Sequence, residues 1–223
     1  MNDLRQLSPE ECLFIMEGEN VSFKELFKLC FLHLLLKEVV RVNIYEKTFP
    51  NQLIRNYVYV LQGKHFHDYK TPACAQVLIR VFEGKSGKEI LIKHVIKLAY
   101  LNAQSMKYYG SLLLQTPLMA QCFHQTWWQK IRGRFSITDV GLQYREKIKD
   151  QVFHAEQQWQ LFPTLDTLER IRLDMGVNAL LLKDAAEKIF GVAKIILSEL
   201  DKDVSEPRER SSAEGSVFYD SGL

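Results

Sequence analysis

Apolar residues recur every three or four positions along most of the chain, which is the spacing of amphipathic helices. Three of these stretches are preceded by a serine with a glutamate three residues later, at Ser8, Ser22 and Ser86. This is the capping box, in which both side chains accept hydrogen bonds from N–H groups that the first turn leaves free. The pattern predicts helices near 9–17, 22–38, 72–83, 87–108, 117–131, 139–159, 164–175 and 178–200.

Two segments break the helical spacing. Residues 39–45 are rich in β-branched side chains and partly alternate, and residues 56–61 combine aromatic with β-branched side chains. Both compositions are typical of strands. The stretch 46–55 between them contains the turn signal Pro50-Asn51. We therefore expect a β-hairpin with a long tip.

The order helix, helix, hairpin over 9–62 is that of a winged helix, and 87–159 resembles a second, degraded copy. In that copy, Phe135-Ser136-Ile137-Thr138-Asp139-Val140-Gly141 resembles the wing exit of winged-helix regulators. There the threonine caps the next helix and the glycine allows close packing near its start. The expected fold is mainly α with a small β-hairpin: two winged-helix-like units in one compact body, plus a flexible C-terminal tail.

The same order predicts three regions. Residues 1–70 form a winged-helix-like unit with the hairpin, 71–200 a helical region containing the second unit, and 201–223 a disordered tail. Between Glu206 and Ser216 the tail has no apolar residue larger than alanine or proline. Such a segment buries too little surface to offset the entropy of ordering.

Composition is that of a soluble globular protein: of 223 residues, 47% are hydrophobic and 25% charged. The longest run without Asp, Glu, Lys or Arg, Tyr108 to Gln129, contains several amide side chains, so we expect no transmembrane segment. The N-terminus lacks the basic and apolar regions of a signal peptide. The four cysteines have no CxxC spacing and predict free, buried thiols in a reducing compartment. We therefore expect a cytoplasmic protein.

The net charge of +2 is unevenly distributed. Residues 21–158 carry 20 bases and 10 acids, a net charge of +10, whereas 1–20, 159–200 and 201–223 carry −4, −1 and −3. A basic middle attracts an anionic partner such as nucleic acid, an acidic lipid surface or an acidic protein. The alternative is an ordinary solvated surface on which the acidic tail folds back.

The segment from Pro117 to Ile137 carries the strongest nucleic-acid feature. A helix there places glutamines at four-residue intervals on one face, followed by basic residues near the second wing. A second basic face lies on the helix predicted at 87–108. The candidate contacts to an anion or nucleic acid are Gln121, Gln125, Lys130, Arg132, Arg134, Lys93 and Lys97. The alternative is a solvated, glutamine-rich helix face. Trp127 and Trp128 lie about 100° apart around the helix, so when one is in the core the other tends towards the surface. An exposed tryptophan can anchor an interface, and Trp128 is therefore a candidate partner contact.

The motif search disfavours catalysis. The chain has no phosphate loop, GxGxxG, HExxH or GxSxG motif. His65 and His67 would share one face of a strand, as metal ligands do, but no third ligand follows at a recognisable spacing. We therefore expect no catalytic residues, no metal and no cofactor.

One resemblance to a known family extends over residues 7–142, mainly as the order of elements. Leu7-Ser8-Pro9-Glu10-Glu11, a helix, and then Leu35-Leu36-Lys37-Glu38-Val39-Val40-Arg41-Val42 resemble Golgi phosphoprotein 3-like proteins and related bacterial winged-helix domains. The resemblance implies a mostly helical fold and, from the Golgi members, binding of phosphoinositide headgroups at membranes. Lys37-Glu38 replaces the glycine that these families often have between helix and strand. No headgroup-binding residue can be matched by position.

These observations predict a non-enzymatic cytoplasmic adaptor or interaction protein whose basic central surface binds an anionic partner. Two alternatives remain: a winged-helix DNA-binding transcriptional regulator, and a peripheral binder of acidic lipid headgroups. We expect a protein partner, with nucleic acid or an acidic membrane surface as the other candidates. The sequence does not indicate an oligomeric state.

Overall fold

The computed structural model describes residues 4–50, 54–125 and 134–202, which fold into a mainly helical body with a small antiparallel sheet. The helices are α1 (Pro9–Glu17), α2 (Phe23–Leu36), α3 (Gln76–Ile79), α4 (Ile92–Ala103), α5 (Met106–Leu113), α6 (Pro117–Cys122), α7 (Asp139–Leu161), α8 (Leu165–Met175), α9 (Ala185–Lys188) and α10 (Lys194–Asp201). The strands are β1 (Val40–Thr48), β2 (Ile54–Gln62), β3 (Ile90–Leu91), β4 (Phe123–His124) and β5 (Ser136–Ile137). Short 3-10 turns occur at Leu4–Gln6, Gly18–Asn20, Arg80–Phe82 and Gly176–Leu181.

The first two helices begin where the sequence predicts. The side chains of Ser8 and Ser22 each accept a hydrogen bond from the backbone of the glutamate three residues on, Glu11 or Glu25. Each glutamate side chain accepts from its serine N–H in return. Both capping boxes are therefore confirmed.

The predicted hairpin is confirmed, with longer strands than the sequence suggested. β1 and β2 pair antiparallel from Val40 with Gln62 to Thr48 with Ile54. Much of the stretch 46–55 is therefore paired strand, and the expectation of a long tip is wrong. Residues 51–53 lie outside the described part of the chain. β3 joins the other edge of β2, with Leu91 opposite Tyr59.

The predicted helix over 87–108 is wrong at its start and in its middle. Ile90 and Leu91 are extended because they pair with β2, so α4 begins only at Ile92. The predicted cap at Ser86 is wrong for the same reason. The helix then breaks at Gln104, whose φ is 57°, and α5 begins after Ser105, whose side chain caps it.

Three other predicted helices are shorter than expected. The one at 72–83 contains only α3 and a 3-10 turn. The one at 178–200 is interrupted by Asp184 and Gly191, whose φ values of 57° and 65° do not continue a helix. The one at 117–131 ends at Cys122 because the next two residues pair with β5. The helices predicted at 9–17, 22–38, 139–159 and 164–175 are confirmed to within two residues.

The segment compared with a wing exit performs the two expected local roles. The Thr138 side chain accepts a hydrogen bond from the Gly141 N–H at 3.1 Å and so caps α7. A Cβ at Gly141 would lie 2.2 Å from the Cys122 carbonyl oxygen. Only glycine therefore allows α7 to approach the end of α6 this closely.

The main hydrophobic core contains side chains from both sides of the proposed boundary between residues 70 and 71. Phe14 of α1, Phe31 of α2 and Tyr109 of α5 are completely buried in it. A smaller cluster, which includes Ala155, Ile171 and Met175, joins α7 to α8. This packing makes the described part of the chain one compact body, as expected from the sequence.

The prediction of free, buried thiols is confirmed at Cys12, Cys30, Cys74 and Cys122. No helix in the described ranges combines the length and the apolar content needed to cross a bilayer.

The first residue of the predicted tail, 201–223, is part of α10. The Lys24 Nζ donates to the Asp201 carbonyl oxygen at 2.8 Å, and the Lys28 Nζ donates to its carboxylate at 2.6 Å. The expectation that the tail begins at 201 is therefore wrong. Residues 203–223 lie outside the described part of the chain.

Candidate functional site

One face of the β1–β2 hairpin carries basic side chains on either side of a group of tyrosines. Opposite residues of an antiparallel pair share a face, and successive residues of a strand alternate between faces. The register pairs Asn43 with Tyr59, Tyr45 with Tyr57, and Lys47 with Arg55. We call the exposed and half-buried part of this surface the outer hairpin face; its residues are Arg41, Asn43, Tyr45, Lys47, Arg55, Tyr57 and Tyr59. Leu61, which lies opposite Arg41 on the same side, is buried.

The other hairpin face fixes this surface in place. Val40, Val58 and Val60 are buried in the main core, and Val42 packs against it. This packing anchors the base of the hairpin, whereas both faces are exposed towards the tip, where Ile44 and Ile54 are 41% and 55% exposed. A strand pair anchored in this way is a stiffer support for a binding surface than a free loop.

Three tyrosines occupy the middle of the outer hairpin face. Tyr45 is 49% exposed, and Tyr57 and Tyr59 are half-buried. The rings of Tyr45 and Tyr59 meet edge to face, with centroids 5.6 Å apart and an interplanar angle of 72°. This arrangement presents a row of aromatic rings with contacts typical of stable aromatic pairs.

Cations flank the tyrosines at both ends. Arg41 lies near the base of the hairpin, and Lys47 and Arg55 lie opposite each other towards the tip. The Lys47 Nζ and the Arg55 Cζ each lie 5.3 Å from the centre of the Phe49 ring, which is within cation–π distance. All three cations are exposed, and no acidic residue in the described ranges forms an ion pair with them. Their charge is therefore available to an anion from solution.

One carboxylate lies on this face. The Glu89 Oε1 accepts hydrogen bonds from the Asn43 Nδ2 at 2.6 Å and from the Tyr45 hydroxyl at 2.9 Å. The hydrogen bond to Glu89 raises the pKa of Tyr45. The carboxylate therefore keeps the hydroxyl protonated and restrains the orientation of the Tyr45 ring.

Two residues predicted from the sequence lie on the helix that follows β3. Lys93 and Lys97 are both exposed on α4, whereas Ile92, Val95 and Ile96 on its other side are buried. Their spacing of four residues places them on one helix face. They add two positive charges on the element that continues directly from the third strand.

The predicted glutamine face does not form. Gln121 lies on α6 and is exposed, but the helix ends one residue later. Gln125 follows β4, and its Nε2 donates to the Arg134 carbonyl oxygen at 3.0 Å. The expectation that Gln121 and Gln125 share a helix face is therefore wrong, because the pairing of β4 with β5 replaces the helix. Arg134 is exposed; Gln129, Lys130, Arg132 and Trp128 lie outside the described residues.

A buried contact between a histidine and a carboxylate lies between α1 and α2. The His33 Nδ1 is 3.4 Å from the Glu10 Oε2, both side chains are buried, and this oxygen accepts no hydrogen bond from the described residues. His33 and Glu11 also line a cavity of about 460 Å³ beside α6. The two Glu11 oxygens already accept hydrogen bonds from the Ser8 N–H at 2.8 Å and the Thr116 hydroxyl at 2.7 Å. We interpret this cluster as structural, since its polar groups join the starts of α1 and α6.

No group of three or more His, Cys, Asp or Glu side chains in the described ranges is arranged to hold a metal ion. His65 lies 3.9 Å from Glu38, which also pairs with Lys64. This cluster at the surface therefore makes ordinary ion-pair contacts.

Comparisons with protein families, with curated proteins and with solved structures found no match for this chain. The resemblance to Golgi phosphoprotein 3-like proteins stays a prediction.

Sequence reasoning missed the outer hairpin face, although its signal was present. Arg41, Asn43, Tyr45 and Lys47 occupy alternate positions, as do Arg55, Tyr57 and Tyr59. A spacing of two in a predicted strand places side chains on one face. The net charge of a whole segment does not show which residues alternate along a strand, so it does not reveal this face.

Proposed function

We propose that this chain is an interaction protein that binds nucleic acid through the outer hairpin face. The observation that carries the proposal is the presence of Arg41, Lys47 and Arg55 around a row of tyrosines, with no acidic ion-pair partner in the described ranges. Nucleic acids alternate phosphates with aromatic bases. Proteins bind them by combining a positive surface with aromatic side chains.

The same surface favours nucleic acid over the other two anionic partners. An acidic protein surface or a lipid headgroup offers negative charge without a series of flat rings. In a nucleic acid, bases lie between the phosphates, so the three tyrosines between the cations can stack on bases while the cations bind phosphates. Binding of an acidic protein or of an acidic membrane stays a prediction.

Lys93 and Lys97 support the proposal as secondary contacts. They are exposed on the helix that begins directly after β3, and β3 pairs with the tyrosine-bearing strand β2. Their removal is expected to weaken binding less than removal of the hairpin cations.

Fluorescence anisotropy of labelled oligonucleotides tests the proposal directly. We expect micromolar affinity at about 50 mM salt and much weaker binding at about 200 mM, because bound cations release counterions from the phosphates. The variant R41Q/K47Q/R55Q should lower the slope of log K against log salt by about 2 to 3, since each lost phosphate contact contributes about 0.7 to 0.9.

A matched control removes the same charge elsewhere. Lys149, Arg170 and Arg172 are exposed on α7 and α8, so K149Q/R170Q/R172Q has the same net charge as the hairpin variant. It should bind as the wild type does. If both variants lose the same affinity for the oligonucleotide, net charge alone explains the binding and the proposal is overturned. Absence of binding at low salt would also overturn it. Co-sedimentation with anionic but not neutral vesicles, without oligonucleotide binding, would shift the function to lipid.

A further inference from the structure

The spacing of the aromatic rings on the outer hairpin face distinguishes single strands from duplexes. Tyr57 and Tyr59 are two residues apart on one strand, so their side chains emerge about 7 Å apart, and the ring centroids of Tyr45 and Tyr59 are 5.6 Å apart. Successive bases in a duplex strand lie about 3.4 Å apart. In the duplex, the bases are also stacked on each other and have no free face. The rings of this surface therefore fit bases that have been separated.

We propose that the outer hairpin face binds single-stranded nucleic acid, with bases stacking on Tyr45, Tyr57 and Tyr59. This inference rests on the proposed function and adds the class of nucleic acid to it. From Arg41 to Lys47 the strand extends about 20 Å, which corresponds to roughly three nucleotides at about 7 Å each. The phosphates at the two ends of such a segment lie near Arg41 and near Lys47 with Arg55.

The hydrogen bonds of Glu89 agree with stacking rather than with reading of base edges. The Tyr45 hydroxyl and the Asn43 amide both donate to Glu89, so they are already engaged. Recognition of a duplex groove depends on such polar groups. The Tyr45 ring remains 49% exposed and can stack while its hydroxyl stays bonded.

The test compares a labelled single strand of about 12 nucleotides with its duplex, at one low salt concentration, with the intact protein. The wild type should bind the single strand at least tenfold more tightly. The variant Y45L should weaken single-strand binding about 5- to 100-fold, the loss of one stacked base, and should affect duplex binding little. Y45F keeps the ring and removes the hydroxyl, so it should retain single-strand affinity.

The control variant is Y108L, because Tyr108 is a half-buried tyrosine on α5 that is not part of the outer hairpin face. It should bind as the wild type does, and thermal melting should show that every variant is folded. Wild-type affinity in Y45L, or duplex binding as tight as single-strand binding, would overturn the stacking inference while leaving nucleic-acid binding intact. No binding of either oligonucleotide would overturn both proposals.

Discussion

Replacing Gly63 with alanine should loosen the junction that fixes the base of the hairpin. Gly63 follows β2, and its N–H donates to the Val39 carbonyl oxygen at 2.8 Å. A Cβ added there would lie 2.1 Å from the Glu38 carbonyl oxygen and 2.7 Å from the Glu38 carbonyl carbon. Backbone atoms cannot rotate away as a flexible side chain can. The connection between α2 and β1 must therefore shift.

The magnitude follows from these contacts. Overpacking of this kind costs about 1–3 kcal/mol. A shift also weakens the Gly63-to-Val39 hydrogen bond and the 3.2 Å bond from the His65 N–H to the Glu38 carbonyl oxygen, each with a net value of about 0.5–1.5 kcal/mol. We expect Gly63→Ala to lower the free energy of unfolding by about 3 kcal/mol, and Tm by about 6–12 °C for a chain of this size.

Urea and thermal unfolding followed by circular dichroism measure this effect, with Gly84→Ala as the control. A Cβ at Gly84 meets no atom within 4 Å, but its φ of +67° is unfavourable for other residues. That substitution tests conformational strain without a clash, at a cost of about 1–2 kcal/mol. If Gly63→Ala costs no more than Gly84→Ala, the described packing at the hairpin base is incorrect.

Three further predictions concern the body of the protein. Glu38 has a φ of 54°, so Glu38→Gly should raise the free energy of unfolding by about 0.5–1 kcal/mol in urea melts, whereas Glu38→Ala should not. Glu10→Ala removes the buried carboxylate beside the His33 Nδ1 and should cost about 1–3 kcal/mol in the same assay, because a buried polar group loses its neighbour; a loss below about 0.5 kcal/mol would contradict the pairing. Burial raises the pKa values of Cys30 and Cys74, so these thiols stay neutral in the folded protein but ionise above a pKa of about 8.5 once unfolded. Stability should therefore fall as the pH rises, by about 1.4 kcal/mol per thiol between pH 7.5 and 9.5, and each Cys→Ala variant should show a smaller decrease.

Local signals predicted the elements whose ends depend on nearby residues. The caps at Ser8, Ser22 and Thr138 each satisfy backbone groups within one turn, so sequence alone located the starts of α1, α2 and α7. The hairpin strands were predictable for a similar reason, since β-branched and aromatic residues favour extended backbone.

Tertiary pairing explains the elements that sequence reasoning misplaced. Ser86 and Glu89 match a capping box, but pairing of Ile90 and Leu91 with β2 delays α4, and Glu89 bonds to the hairpin instead. The amphipathic pattern continuing past Cys122 predicted a helix, yet the backbone there pairs with a strand 12 or more residues away. Local propensity is a weak guide where a distant strand offers hydrogen bonds.

The candidate site could be found only partly from the sequence. The charge of whole segments pointed to the middle of the chain, and Lys93 and Lys97 are exposed on one helix face there. The outer hairpin face required the register, which places Tyr45 opposite Tyr57 and Lys47 opposite Arg55. Shifting a strand by one residue would move all these side chains to the other face.

Photo-crosslinking tests the central claim most directly. The intact protein would be bound to a single strand of about 12 nucleotides containing 4-thiouridine, irradiated, digested with trypsin and analysed by mass spectrometry. Cleavage after Lys and Arg separates the outer hairpin face into the peptides 42–47 and 56–64, whereas 135–145 carries the segment compared with a wing exit. We predict crosslinks concentrated in the first two peptides. The variant R41Q/K47Q/R55Q lacks the cleavage sites at 41, 47 and 55, so the same region is released as one peptide, 38–64, and that peptide should carry no crosslink. Crosslinks concentrated in 135–145 or elsewhere, and unchanged in that variant, would contradict the account.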